Sequence, residues 1–294
     1  MTSRTLVLTL RAPYDFALSA RVRRSFSPWR ETSRVRLRLG ARAGGRPTVL
    51  DLGPAGRSGN TVEVRSVPGR PAAAIEPLVR WILSDDLDLK PFYSLARRHR
   101  VLGPLTVEFR GLKGMRPASL LEMAADVITE QQISLAAAHT IQDRLARRTG
   151  DILDGIPVFP EADKLAEVPM RELRRCGLST RKAEYIRDFA RLVRDGELDL
   201  EGLKRLPDDK VRRILLGIRG WGPWSADYFL VRGLARPDAL PADDLGIRTI
   251  VGKHLGGGPR ASASEVERLL DPFRPYRGMA AFYLLAEEML SRTA

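Results

Sequence analysis

Cysteine is almost absent from this sequence: Cys176 stands alone in 294 residues. One thiol can form no intrachain disulfide, no four-thiolate iron–sulfur cluster and no cysteine-rich zinc site. Histidine is nearly as scarce, and His99, His139 and His254 are too far apart for a metal-ligand spacing. Each reads as a surface or core histidine. Long apolar runs are missing as well. No stretch approaches the roughly 20 residues of a membrane-spanning helix, and the N-terminus has no uninterrupted apolar run before a cleavage site. The expectation is a soluble, cytoplasmic protein. Low-complexity linkers and internal repeats are equally lacking.

Basic charge is what the chain has in excess. Against 36 Asp and Glu stand 49 Lys and Arg, a formal net charge of +13. Arginine clusters in RVRR, RVRLR, RRHR and RELRR. Such an excess is often only a solvated surface, but at this size and spread it favours a polyanionic partner, because neutralised phosphates release counterions. Nucleic acid is the leading expectation. Hydrophobic residues make up 44% of the chain, enough for a sizeable core.

The periodicity changes along the sequence. Residues 5–10, 35–39, 48–52 and 61–65 are short alternating runs between Gly, Ser and Pro clusters, so the first 70 or so residues read as strands. Arginine on alternate positions implies a sheet wet on one face, and the helix expected over 73–83 is its cover. From about Phe92 the pattern is largely helical. Residues 117–147 predict one long helix or two in succession, and further helices are expected over 161–166, 170–176, 180–194, 200–205, 207–216, 224–233, 245–255, 263–270 and 277–292. The fold class is therefore α+β: an N-terminal antiparallel β-sheet with a helix over 1–98, followed by an all-α domain over 99–294.

That domain is organised around residues 215–228, LLGIRGWGPWSADY, with LPADD following at 240–244. Gly220 and Gly222 lie between two helical runs, the pattern of two helices joined by a tight turn over about 207–232. The second helix begins with unpaired N–H donors, and glycine lets a ligand approach the backbone, so such a turn can hold a phosphate. Read blandly, it is a C-cap glycine and an ordinary loop. Either aspartate of LPADD can cap the helix that follows, or serve as a reactive carboxylate. Trp221, Trp224, Tyr228 and Tyr276 are aromatics that either pack a core or line a pocket.

With PYDF at 13–16, EQQIS at 130–134, the hairpin, PADD and the C-terminal helix, the chain resembles the helix-hairpin-helix DNA glycosylases, most closely the bacterial 3-methyladenine DNA glycosylase II type. The resemblance implies a helical glycosylase domain acting on double-stranded DNA with damaged bases, as a monomer associated with the nucleoid. It aligns Asp244, followed by Ile247 and Arg248, with the family's catalytic aspartate. That carboxylate would stabilise the positive charge that develops on the sugar as an N-glycosidic bond breaks. Bifunctional members carry a nucleophilic lysine where this chain has Trp224, which implies a monofunctional enzyme that leaves an abasic site. No second acid at matched spacing accompanies Asp244, which suits an alkylated purine that already carries positive charge and leaves easily.

By the same resemblance, Gly220, Gly222, Ile218, Arg219 and Arg248 are DNA-contact candidates. Gln131, Gln132 and Ser134 lie beside the minor groove, and Gln132 is the side chain expected to fill the gap left by an extruded nucleotide. Trp221, Trp224, Tyr228 and Tyr276 would line the pocket for an electron-poor base. The carbonyls of Ile218 and Gly220 are candidates to hold a monovalent or divalent cation against DNA phosphate, with no side-chain metal site and no iron–sulfur cluster. Two other readings compete: a non-catalytic hairpin protein that binds distorted DNA, and an enzyme for oxidised or deaminated bases.

Overall fold

The computed structural model describes residues 3–24 and 36–291. Its first layer is a four-stranded antiparallel sheet of β1 (Arg4–Thr9), β2 (Leu37–Ala43), β3 (Arg46–Pro54) and β4 (Thr61–Val67), in the order β1-β4-β3-β2. The expected alternation holds. On β4, Val62 and Val64 are fully buried, while Glu63 on the other face meets Arg36, which also pairs with Asp51. Val35, expected to open the second strand, lies outside the described residues, and β2 begins at Leu37.

Two helices cover the apolar face, where the sequence pattern predicted one. α2 (Ala72–Ile82) presents Ile75, Val79 and Ile82 to the sheet, as expected. α1 (Phe16–Arg24) was not expected, because residues 1–70 read as strands. Its arginines dilute the signal, yet Phe16, Ala20 and Val22 are buried, and Asp15 Oδ1 accepts a hydrogen bond from Leu18 N–H at 2.9 Å at its start.

The remainder is helical: α3 (Lys90–Ala96), α4 (Leu102–Glu108), α5 (Leu120–Glu130), α6 (Leu135–Thr149), α7 (Ala162–Ala166), α8 (Met170–Arg175), α9 (Thr180–Arg194), α10 (Leu200–Leu203), α11 (Asp208–Leu216), α12 (Pro223–Tyr228), α13 (Leu245–Val251), α14 (Ala263–Leu270) and α15 (Arg277–Ser291). α12 and α13 each widen into one π-turn, over Phe229–Gly233 and Gly252–Gly256. One exception interrupts this stretch, a small hairpin of β5 (Asp151–Leu153) and β6 (Ile156–Val158). Its turn is Asp154-Gly155, both at positive φ, the pair that a two-residue hairpin prefers. β6 lies against β2 so closely that a Cβ on Gly40 would sit 2.0 Å from the Pro157 carbonyl oxygen.

The helices form two apolar clusters. One gathers α5, α9, α11 and α12 around Val127, Ile186, Phe189, Val211 and Phe229. The other gathers α3, α4 and α13 to α15 around Phe92, Leu105, Ile250, Leu270 and Tyr283. Leu234 and Ala239 belong to the first, Leu240 and Ala242 to the second, so the chain crosses the seam between them at LPADD. Clefts between packed units are where ligand sites most often form.

Candidate active site

α11 opens with Asp208 and Asp209, whose charge complements the helix N-terminus, and buries Val211 and Leu215. It stops at Gly217, and the turn beyond it is closed by Ile218 N–H to the Leu215 carbonyl at 3.0 Å and Trp221 N–H to the Ile218 carbonyl at 3.1 Å. The two glycines serve different ends. Gly220 has φ +87°, and a Cβ there would lie 2.3 Å from Tyr185 Cδ2, so the protein's own packing requires glycine. Gly222 has an ordinary extended backbone, with φ −116° and ψ 179°, and a Cβ would meet nothing within 4 Å. Nothing inside the protein demands glycine at 222.

Pro223 starts α12 and places Trp224 and Tyr228 one turn apart. Their rings stack at 4.9 Å between centroids and 12° between planes. The Trp224 indole Nε1–H donates to Asp244 Oδ2 at 3.0 Å, across the seam. Asp244 is the N-cap of α13, its Oδ1 accepting from Ile247 N–H at 3.0 Å. Capping and presentation are thus divided between the two oxygens of one carboxylate. Asp243 is different: its side chain is 77% exposed and only loosely paired, 3.9 Å from Arg248. Arg248 itself holds the Ala261 carbonyl at 2.9 Å.

EQQIS is not inside a helix. α5 ends at Glu130, Gln131 and Gln132 form the turn, and Ser134 caps α6 by accepting from Ala137 N–H at 3.3 Å. The two glutamines therefore avoid the burial cost that a mid-helix position would impose. Gln131 Nε2 donates to the Gly220 carbonyl and to Ser225 Oγ, both at 3.0 Å, bracing this turn against the hairpin. Gln132 sits at the exposed tip with φ +56°, a conformation costly for a residue with a side chain. Ile133 and Leu135 beside it are 38% and 41% exposed, and Leu245, next to Asp244, is 58% exposed.

Three of the expected site residues have partners within the protein. Trp221 is a core residue, 7% exposed, stacked on Phe189 at 5.3 Å and edge-on to Phe229, because its position in the turn points it back between α9 and α12. Tyr276 packs on Phe92 at 6.1 Å in the second cluster and makes no ring contact with Trp224 or Tyr228 among the described residues. Arg219 is exposed but engaged, 3.0 Å from Glu184 and 3.5 Å from Asp188, over the Tyr185 ring. The Ile218 and Gly220 carbonyls each accept one protein hydrogen bond, leaving a second lone pair for a cation.

Sequence reasoning missed two groups here. Lys182 reaches from α9 to the carbonyls of Thr129 and Gln131, at 2.8 and 2.6 Å, and fastens the end of α5. Glu130, the last residue of α5, is an acid that spacing did not single out. Its Oε1 accepts from Gln142 Nε2 at 2.9 Å. Burial pushes the Glu130 carboxyl above its ordinary value, and the Tyr228 hydroxyl is likewise raised by burial and by the nearby Glu130.

A cavity of about 540 Å³ opens on one side of Trp224, lined by Gly222, Asp227, Asp238, Asp243, Glu267 and Arg277 among others; neither Asp244 nor Tyr228 lines it. Burial raises Asp227 from 3.8 to about 6, although Arg212 lies 2.8 Å away. A carboxyl raised on folding favours the folded state fully below its unfolded pKa, and that contribution is lost as pH rises through the folded one. The urea-unfolding stability of Asp227→Asn relative to the wild type is therefore expected to rise between about pH 4 and pH 6. A difference that stays flat across that window would contradict the assignment.

A sheet-backed helical protein with a tight hairpin, an unobstructed glycine and a carboxylate held at the seam defines a helix-hairpin-helix protein with a site suited to hydrolysis. The chain belongs to the HhH-GPD superfamily of base excision DNA repair proteins, whose family model matches residues 125–275. It is 30% identical over 216 residues to the DNA-3-methyladenine glycosylase of Bacillus subtilis, covering 71% of each chain. It is 24% identical to DNA-3-methyladenine glycosylase 2 of Escherichia coli, covering 76% of each. Its match to a second Bacillus subtilis relative, YfjP, is 31% identical over 157 residues, 53% of this chain and 55% of that protein. The solved 3-methyladenine DNA-glycosylase of Archaeoglobus fulgidus superimposes with a TM-score of 0.82 at 25% identity, covering 98% of this chain and all of the other. No helix among the described residues is long and apolar enough to cross a membrane.

Proposed function

We propose that this chain is a monofunctional DNA glycosylase that flips alkylated purines out of duplex DNA and hydrolyses the N-glycosidic bond, leaving an abasic site. The observation that carries this reading is Asp244, fixed at the seam by Trp224 and by the N-terminus of α13. As the bond breaks, positive charge builds on the sugar, and a carboxylate already oriented there stabilises it without reorganising. The same group can orient or deprotonate the attacking water. Trp224 stands where a lysine would be needed for strand cleavage, and an indole forms no Schiff base.

DNA binding follows from charge and backbone. The net charge of +13 supplies the sequence-independent attraction, and the hairpin at Gly222 offers a backbone that a phosphate can approach. Gln132, Ile133 and Leu135 form the protruding tip suited to occupy the gap in the duplex. A cation at the Ile218 and Gly220 carbonyls would strengthen the phosphate contact, and the second lone pairs there are compatible with one. The damaged base would stack against Trp224 and Tyr228, whose electron-rich faces attract a positively charged purine.

Release of free base from duplexes carrying alkylated, deaminated or oxidised bases tests the reading. Release from the alkylated duplex, with strand breaks only after alkali, is the expected outcome. A folded protein that releases no base from any of them would leave the hairpin as a DNA-binding device alone. Arg219→Ala is expected to weaken binding to every duplex and to lower its salt dependence, since Arg219 can exchange Glu184 and Asp188 for phosphate. An unchanged salt slope would show that the side chain stays on those carboxylates.

A further inference from the structure

Gln132 holds a positive φ at an exposed tip, and its neighbours must keep it there. The last carbonyls of a helix have no donor within it, and α5 ends without glycine: its C-cap, Gln131, leaves the helix at φ −54° and ψ 125°. Two side chains close that end. The Lys182 ammonium donates to the carbonyls of Thr129 and Gln131, at 2.8 and 2.6 Å, and the Gln131 amide reaches across to the Gly220 carbonyl and Ser225 Oγ. A cation on terminal carbonyls also complements the negative end of the helix dipole. Lys182 is half-buried, and that burial lowers its pKa from the ordinary lysine value. An ammonium drawn partly out of water to serve two carbonyls is a fixed donor rather than a solvated surface charge.

Lys182 lies in the first turn of α9, where Ser179 Oγ accepts from Lys182 N–H at 3.3 Å. Further along, the same helix presents Glu184, Tyr185 and Asp188 to the hairpin: the two acids pair with Arg219, and the Tyr185 ring lies where a Cβ on Gly220 would fall. One 15-residue helix therefore backs both the tip and the hairpin and fixes the distance between them. We propose that Lys182 is a positioning residue for base extrusion: by clamping the end of α5 it holds Gln132 in its strained, protruding conformation, so that tip and hairpin meet the duplex as one rigid unit. This role rests on the glycosylase reading and deepens it, because a tip that fills the gap left by an extruded nucleotide offsets the cost of unstacking. A tip that had to be ordered on the DNA would offset less.

Lys182→Met tests this, because it keeps the aliphatic stem and removes the donors. Single-turnover release of an N7-alkylguanine is compared in two duplexes, one with cytosine opposite and one with an abasic-site analogue opposite, where no pair has to be opened. The variant is expected to lose about tenfold on the paired duplex and to stay within about twofold on the unpaired one, tenfold being about 1.4 kcal/mol. Lys182→Arg, which keeps donors for the carbonyls, should recover most of the paired-duplex rate. In a Gln132→Gly background, which has neither the side chain nor the strain, Lys182→Met should cause no further loss. Equal losses on both duplexes, or a loss that persists undiminished in Gln132→Gly, would mean a merely structural role, and no loss on either duplex would mean no role; each overturns the proposal. A readout independent of base release separates this from failure of the glycosylase reading. The fluorescence of 2-aminopurine placed opposite an abasic-site analogue should change when saturating wild type fills the gap, and change clearly less with saturating Lys182→Met. The same response from both proteins would overturn the clamp whether or not any base is released.

Discussion

Asp244→Asn is expected to lower the rate of base release on the order of 10²–10⁴-fold, the range in which a positioned acid–base group contributes, while duplex binding persists. The fold should survive, because an asparagine oxygen still caps α13 through Ile247 N–H. The substitution does more than remove charge. With the oxygen committed to the cap, the amide NH₂ faces the Trp224 Nε1–H, donor against donor, in place of the 3.0 Å hydrogen bond. Trp224→Phe separates the two effects, since it keeps a ring for the base to stack on and the carboxylate, and loses only the indole hydrogen bond. Its loss should be clearly smaller than that of Asp244→Asn, and single-turnover kinetics on the same duplex will rank them. A Trp224→Phe protein as inactive as Asp244→Asn would mean that orientation by the indole, and not the carboxylate charge, dominates.

The second large effect contrasts the two hairpin glycines. Gly220→Ala forces a side chain into a left-handed backbone, which costs about 1–2 kcal/mol, and drives it against Tyr185 in a packed contact, which costs about 1–3 kcal/mol more. Urea unfolding should show the loss, with duplex binding falling in step. Gly222→Val meets open space at an allowed backbone, so it should cost the fold no more than about 1 kcal/mol, the difference between glycine and a β-branched residue at an N-cap. Duplex affinity should nevertheless fall by about tenfold or more, because the added methyls stand where a phosphate would approach. A stable Gly222→Val protein that binds like the wild type would remove the hairpin from the DNA interface.

Much of this was legible in the chain because period and punctuation agree. The alternation on β4, the helical spacing of α9 and the glycine-bounded hairpin each bury the residues that their patterns point inward. What was not legible depended on partners far away in sequence. α1 was hidden by arginines whose apolar neighbours mattered only once the sheet lay beneath them. The Asp154-Gly155 turn was a readable hairpin signal, but the three-residue strands on either side were too short to show alternation. Gln131 looked like a helical residue because the breaker that ends α5 is no Gly or Pro, only a C-cap and a positive φ at Gln132. Trp221 and Trp224 are three residues apart and identical in type, and only the path of the turn sends one to the core and the other to Asp244. Asp244 itself emerged through family resemblance, and its two hydrogen bonds give the physical reason that it differs from Asp243.

Hydrolysis through Asp244 is tested most directly by the mass of the products in ¹⁸O-labelled water. The account predicts free alkylated base and an unbroken strand whose abasic sugar carries the label, from the wild type but not from Asp244→Asn. A strand cleaved without alkali, or label incorporated equally fast by Asp244→Asn, would contradict it.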